Sequence, residues 1–199
     1  MSRTLQAFTA HCQKTIPQII AGLDPAALTA AADLIDESMA QGGRLHITGI
    51  GKPSYVAGYA ASLFSSTGTP AYYLHGTEAV HGSCGQLRDQ DVVICISNSG
   101  KTPEMLTTAH AIRNNGCRII AVTGNPNSPL AELADLHLFA GVPHDGGPLK
   151  RAPRLSIVAE NLVLQALSLV LQERRGLTPQ QYVTWHPGGT LGQLRSDEK

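Results

Sequence analysis

The segment Val92–Ile96, reading Val-Val-Ile-Cys-Ile, constrains this chain more than any other. An unbroken apolar run of strand length has no polar face to offer water, so both of its faces must be covered. Strands covered in that way belong to parallel sheets with helices on each side. The rest of the sequence follows suit. Short apolar runs at 44–50, 71–74, 117–122 and 136–140 alternate with helical spacing over 53–66, 103–115 and 129–134. Alternating strands and helices, joined by right-handed crossovers, predict an α/β fold: a five-stranded parallel sheet flanked by helices, an α/β/α sandwich of Rossmann-like type.

Before this pattern, Leu5, Phe8, Cys12, Ile16 and Ile20 share one helical face, and Pro17 is expected to kink or split that helix. Asp24-Pro25 reads as an N-cap and first helical residue, followed by Leu28, Ala31, Ala32, Ile35 and Met39 at helical spacing. Gly42-Gly43 closes the second helix. Residues 1–43 are therefore expected to be N-terminal helices packed on a domain covering 44–195. A short helix is expected over 77–83 and a Gly/Pro-rich loop over 141–153. The helix over 154–175 is apolar nearly all round, which predicts burial on more than one side, in the core and against another subunit. Glu160, Asn161 and Gln165 interrupt its apolar run, so it reads as a buried helix and not a membrane span. The tail 195–199 is expected to fray.

With 15 basic and 15 acidic residues the formal net charge is zero, which points to no nucleic acid or anionic membrane as a partner. Cysteines 12, 84, 95 and 117 lack CxxC spacing and read as free thiols of a reducing compartment. Residues 1–10 lack the plan of a secretory signal, so a cytoplasmic location is expected.

The chemistry concentrates where strands end. Ser97-Asn98-Ser99-Gly100-Lys101-Thr102 joins the 92–96 strand to a helix. Backbone N–H groups at a helix start favour anions, Ser97, Ser99 and Thr102 add hydroxyls, and Gly100 allows close approach. This is a phosphate cradle that needs no metal; an ordinary capped helix is the plain alternative. Gly49-Ile50-Gly51-Lys52-Pro53-Ser54 is neither a dinucleotide fingerprint nor a Walker loop. Lys52 can reach over the strand ends to a phosphate or a carbonyl, or simply be solvated. His75 and His81 flank a short helix, and His186 lies in Trp185-His186-Pro187-Gly188-Gly189; none has zinc spacing. His11, His46, His110 and His137 read as core or surface residues. Glu104, in the first turn after the serine loop, serves either the helix dipole or acid–base chemistry.

Taken in order, Gly51-Lys52, Ser65-Ser66-Thr67-Gly68-Thr69-Pro70, His75-Gly76-Thr77-Glu78-Ala79-Val80-His81-Gly82, Ser97-Asn98-Ser99-Gly100 and His186-Pro187-Gly188-Gly189-Thr190-Leu191-Gly192 resemble the SIS (sugar isomerase) domain of bacterial arabinose 5-phosphate isomerases. The resemblance runs over about 44–192. It implies interconversion of ribulose 5-phosphate and arabinose 5-phosphate, which feeds the eight-carbon acid Kdo of lipopolysaccharide or capsule, and it implies a homotetramer with no cofactor. The family's catalytic lysine, first glutamate and late histidine match Lys52, Glu104 and His186. Its substrate-contacting residues match Gly68, Thr69, His75 and His81, and the first of these histidines is linked to inhibitory zinc. The family's second catalytic glutamate is Asp145 here, one methylene shorter. Its Ala-Pro-Thr-Ser-Ser-Thr becomes Ala152-Pro153-Arg154-Leu155-Ser156-Ile157, beside Lys150 and Arg151, giving a more cationic rim. Many members continue into two CBS domains, whereas this sequence ends at 199, so a form without them is expected. Two alternatives stay open: isomerisation of another sugar phosphate, and a sensor that binds a sugar phosphate without turnover.

Overall fold

The computed structural model describes residues 2–198. Five strands form one parallel sheet: β1 (Leu45–Gly49), β2 (Ala71–Tyr73), β3 (Val92–Ile96), β4 (Arg118–Thr123) and β5 (Leu136–Phe139), in the order β2-β1-β3-β4-β5. Every residue of β1 and β3 is buried, as two-sided coverage requires. One face carries α2 (Pro25–Ala40), α3 (Lys52–Ser66) and α7 (Leu155–Arg175), which meet Leu45, Ile47, Ile94, Ile96, Ile120 and Val122 in the larger core. The other face carries α4 (Gly76–Ala79), α5 (Pro103–Asn114) and α6 (Pro129–Leu133), where Met105, Ala109, Ile112 and Leu130 pack on Val93, Cys95, Ile119 and Ala121. The α/β/α sandwich read from the sequence is the observed fold.

The N-terminal helix α1 (Arg3–Ala21) is continuous through Pro17. Pro17 lies exposed on the outside of the helix, which is not split there. The expected apolar face is also corrected. Leu5 and Ile20 are 47% and 54% exposed, while the buried residues of α1 are Thr15 and Ile19. The face was assigned by hydrophobicity alone, whereas the contact with α7 buries a stripe rotated toward Thr15 and Ile19.

The helix at 154–175 is α7, and it is the one helix among the described residues long and apolar enough to cross a membrane. Half of its apolar stretch is buried inside the domain. The 141–153 loop leads into it. After it comes α8 (Pro179–Trp185), which the sequence reading left unassigned and which starts with a capping box between Thr178 and Gln181. The tail is described only to residue 198; Lys199, which the fraying expectation includes, lies outside the described residues, as does Met1.

The amino ends of β1 and β3 are tied by one fully buried carboxylate. Asp91 Oδ1 accepts the Arg44 N–H (2.8 Å), and Oδ2 accepts from the Arg44 guanidinium (2.9 Å), the Arg88 N–H (3.0 Å) and His46 Nε2 (3.1 Å). Burial alone would raise the Asp91 pKa, but these donors hold it below the usual carboxylate range. His46 goes the other way: burial lowers its pKa more than Asp91 raises it. The four cysteines are free, and Cys84, Cys95 and Cys117 are buried. Burial pushes the Cys95 thiol up to about 12 and the Cys117 thiol to about 11.

Replacing Asp91 by Ala strips Arg44 and His46 of their shared acceptor and is expected to cost about 3–5 kcal/mol of stability in urea unfolding. A loss below about 1 kcal/mol would show that the staple contributes little.

Candidate active site

From β1 the chain crosses through α3 to β2 on one side, then returns over β1 to β3 on the other. The order therefore reverses between β1 and β3, where open α/β sheets form a crevice at the carboxyl ends of the strands. Gly49 and Ile96 are register partners at that edge, so the loops following them are neighbours.

The loop after β3 forms the cradle. Ser97 is buried, its N–H bonded to the Val122 carbonyl (3.0 Å) and its Oγ 3.4 Å from Thr102 Oγ1. Ser99 is exposed, and its Oγ accepts the Lys101 N–H (3.2 Å). Thr102 precedes α5 without a side-chain cap, and Pro103 has no N–H, so the first free donors of the helix follow in the next residues. Gly100 sits at φ +62°, where an added Cβ would collide with the Ser128 side chain. Its carbonyl accepts the Leu130 N–H (3.2 Å), which ties the cradle to α6.

The loop after β1 brings Lys52 to the same edge. Gly51, at φ +67°, turns the chain into α3, and Lys52 is exposed at the helix start. His75 and His81 bracket α4, beside α5. Gly76 packs so closely on Gly49 and Ile50 that a side chain would clash, and its carbonyl accepts from Thr108 Oγ1 (2.6 Å). His75 Nδ1 accepts the Glu78 N–H (3.3 Å), which leaves its other ring nitrogen outward. Glu104 is exposed in the first turn of α5. Among the described residues no three His, Cys, Asp or Glu side chains are grouped to hold a metal, so His75 stands without partner ligands.

Asp145 lies at the head of α7. Its Oδ1 accepts the N–H groups of Arg154 (2.7 Å) and Ser156 (2.8 Å) and the Ser156 hydroxyl (2.7 Å). It thus caps the helix. This end of α7 faces the start of α3 across a groove of about 350 Å³ lined by Lys52, Tyr55, Tyr59, Pro153 and Ile157. Lys150, Arg151 and Arg154 are exposed on the rim.

Gly68, Thr69 and His186 are elsewhere. The 15 residues of α3 span about 22 Å, with Lys52 at one end and Gly68 just beyond the other. Gly68 lies against Arg175 and Trp185, at the amino edge of the sheet. Thr69 is buried, and its hydroxyl has no hydrogen-bond partner. His186 Nδ1 donates to the Tyr182 carbonyl (2.7 Å), and its ring stacks on Tyr182 at 3.9 Å. Within one chain, then, the sequence-selected residues form two groups. Lys52, His75, His81, Ser97, Ser99, Thr102 and Glu104 gather at the carboxyl edge, and Gly68, Thr69 and His186 gather at the other. Glu160, buried in α7 with both oxygens unpartnered, was read only as an interruption of an apolar run; an acid within a core helix was the available signal.

An open parallel sheet whose switch-point edge carries hydroxyls, an uncapped helix start and an exposed lysine defines an α/β domain with a candidate anion site. The SIS domain model matches residues 38–168, and the chain belongs to that family. Over 150 residues it is 41% identical to the arabinose 5-phosphate isomerase KdsD of Pseudomonas aeruginosa and 38% identical to KdsD of Yersinia pestis. The aligned part is 75% of this chain and 46% of each of those proteins, so the chain spans less than half their length. Among solved structures, Escherichia coli c3406 in complex with arabinose 5-phosphate superposes with TM-score 0.82 at 34% identity, covering 94% of this chain and 100% of that one. The sugar isomerase domain of an RpiR transcription factor from Sphaerobacter thermophilus shares the fold at TM-score 0.73 and 21% identity, covering 94% and 97% of the two chains.

Gly100→Ala places a Cβ at positive φ against Ser128. Inorganic phosphate is expected to raise the melting temperature of the parent protein, and the substitution is expected to cost about 1–3 kcal/mol and to abolish that rise. An unchanged phosphate response would remove the loop from the anion site.

Proposed function

We propose that the protein is an aldose–ketose isomerase that interconverts D-ribulose 5-phosphate and D-arabinose 5-phosphate through an enediol. The observation that carries this reading is the Ser97–Thr102 cradle, at the same sheet edge as Lys52 and at the reversal of strand order. The cradle binds the phosphate, and that remote binding energy orients the carbons to react. A base removes the proton from the carbon next to the carbonyl and returns it to the neighbouring carbon, while Lys52 stabilises the enediolate oxygen. Candidates for the base are His81, Glu104 and His186. The Tyr182 carbonyl fixes the proton of His186 on Nδ1 and leaves Nε2 with its lone pair, which favours this histidine. Asp145 is retained among the catalytic candidates, with Oδ2 outside the capping bonds of Oδ1.

The 22 Å between the ends of α3 bears on assembly. Lys52 and a His186 serve one substrate only if a second copy brings its Gly68, Thr69 and His186 to the cradle. We therefore propose a homo-oligomer, a homotetramer by family resemblance. The half-exposed apolar side of α7, with Leu169 at its surface, favours such contacts.

A second reading, a different sugar-phosphate substrate, draws on the exposed cations Lys150, Arg151 and Arg154, which suit another anionic group. Incubation with ribulose 5-phosphate, arabinose 5-phosphate and a panel of other sugar phosphates separates the two, and binding without turnover would identify a sensor.

Lys52→Met is expected to lower kcat at least 100-fold with an unchanged melting curve. Normal isomerisation by this variant would refute the role given to Lys52.

A further inference from the structure

A second carboxyl group lies behind Asp145. Glu160 is fully buried on α7, one turn after Ser156, the residue whose N–H and hydroxyl bind Asp145. Neither Glu160 oxygen has a hydrogen-bond partner, while Asp145 Oδ1 has three donors. We infer that Glu160 is a positioning residue: it holds the single proton of a buried pair with Asp145, and so leaves Asp145 as the anion that anchors the head of α7 and the 141–153 loop beside the candidate site.

The surroundings supply no compensating cation. On the 141–153 loop, Lys150 is exposed, and the His144 carbonyl accepts from His11 Nε2 (2.9 Å). At the start of α7, the Arg154 guanidinium lies over Gly147 and donates to the Ala152 carbonyl (3.4 Å). Arg151 of the loop is exposed, as is Arg3 of α1 across the cavity from Lys150, and His11 Nδ1 accepts from Thr15 Oγ1 (3.2 Å). From α3, Lys52 and Tyr55 are exposed and Tyr59 accepts from Gln165. From α2, Asp33 and Asp36 are engaged by Arg174, at the far end of α7. The strands that face α7 are apolar. Ionising both carboxyl groups would bury two like charges, that of Glu160 without a hydrogen-bond partner, a state that proteins avoid by keeping one proton. The three donors on Asp145 decide which group keeps it. Burial, followed by the Asp145 charge, pushes Glu160 up to about 8.

The sign of the pH dependence follows. In the unfolded chain the carboxyl ionises from about 4.5, whereas in the folded chain it stays protonated until about 8. Between those values only the folded state carries the proton, so stability falls as pH rises across this window and levels off above it. The histidines whose pKa shifts downward, 46, 137 and 144, titrate below the upper part of the window, and the buried cysteines titrate above it. The proton assignment stands without the isomerase reading; its effect on turnover rests on that reading.

The test compares the wild type with Glu160→Gln, a neutral isostere of the protonated acid. With carboxyl-¹³C glutamate, one wild-type resonance is expected to titrate near pH 8 and to be missing from the variant. Melting temperature is expected to fall between pH 7 and 8 in the wild type and to stay level in the variant. Should the variant fail to fold, the wild-type titration decides by itself: no glutamate titrating above pH 7 overturns the inference. For turnover of ribulose 5-phosphate, the fall in kcat/KM above pH 8 is expected to move up by at least one pH unit in Glu160→Gln. An alkaline limb identical in both proteins overturns the positioning role. If both proteins bind but neither isomerises, the isomerase reading fails, and the ¹³C titration still decides the location of the proton.

Discussion

The pairing of β1 with β3, strands separated in the chain by an excursion through β2, governs the rest of the structure. Both strands are buried over their whole length, so neither can leave the centre of the sheet. Their amino ends are drawn together by Asp91, and at their carboxyl ends the chain departs in opposite directions to α3 and α5. Two helices leaving on opposite faces open a crevice, and the residues following Gly49 and Ile96 become its walls. Lys52 and Ser97 share one edge of the sheet because their strands are neighbours.

The same architecture divides the residues that resemble the family's functional set. A helix that begins at one edge of the sheet must end at the other, so α3 carries Lys52 at its head and delivers Gly68 to the far side. The α7 helix runs the same way, with Asp145 at its head and Arg175 beside Gly68. Neither helix can bend its two ends together. Under the proposed isomerase reading, a complete site calls for copies arranged so that one protomer's amino edge meets another's carboxyl edge. This gives a physical reason for an assembled state that the fold of one chain does not require.

Much of this was legible in the sequence. The central strands were, because a run such as Val92–Ile96 admits one environment. The placement of the serine loop and Lys52 at strand ends was, because hydroxyls, glycine and lysine sat between a strand and a helix. The α1 face was misread, because apolar residues near a terminus need not be covered. The α8 helix was overlooked because Pro179–Trp185 lacks an apolar period, although Thr178 and Gln181 spell out its capping box. The separation of Gly68, Thr69 and His186 from the cradle depends on the direction of α3 and on Trp185 reaching Gly68, and motif order along a chain carries no such distances. Glu160 looked like punctuation in an apolar run, because only packing reveals that an acid has nothing to bond to.

The buried cysteines have a consequence for how this domain meets chemical stress. Thiols held at about 12 and about 11 present almost no thiolate at neutral pH, and thiolate is the species that oxidants and alkylating agents attack. Cys95 and Cys117 are therefore sheltered twice, by the wall of side chains around them and by their own reluctance to ionise. Alkylation of these two positions would register each opening of the smaller core, so the native domain carries its own chemical recorder of how often that half comes apart.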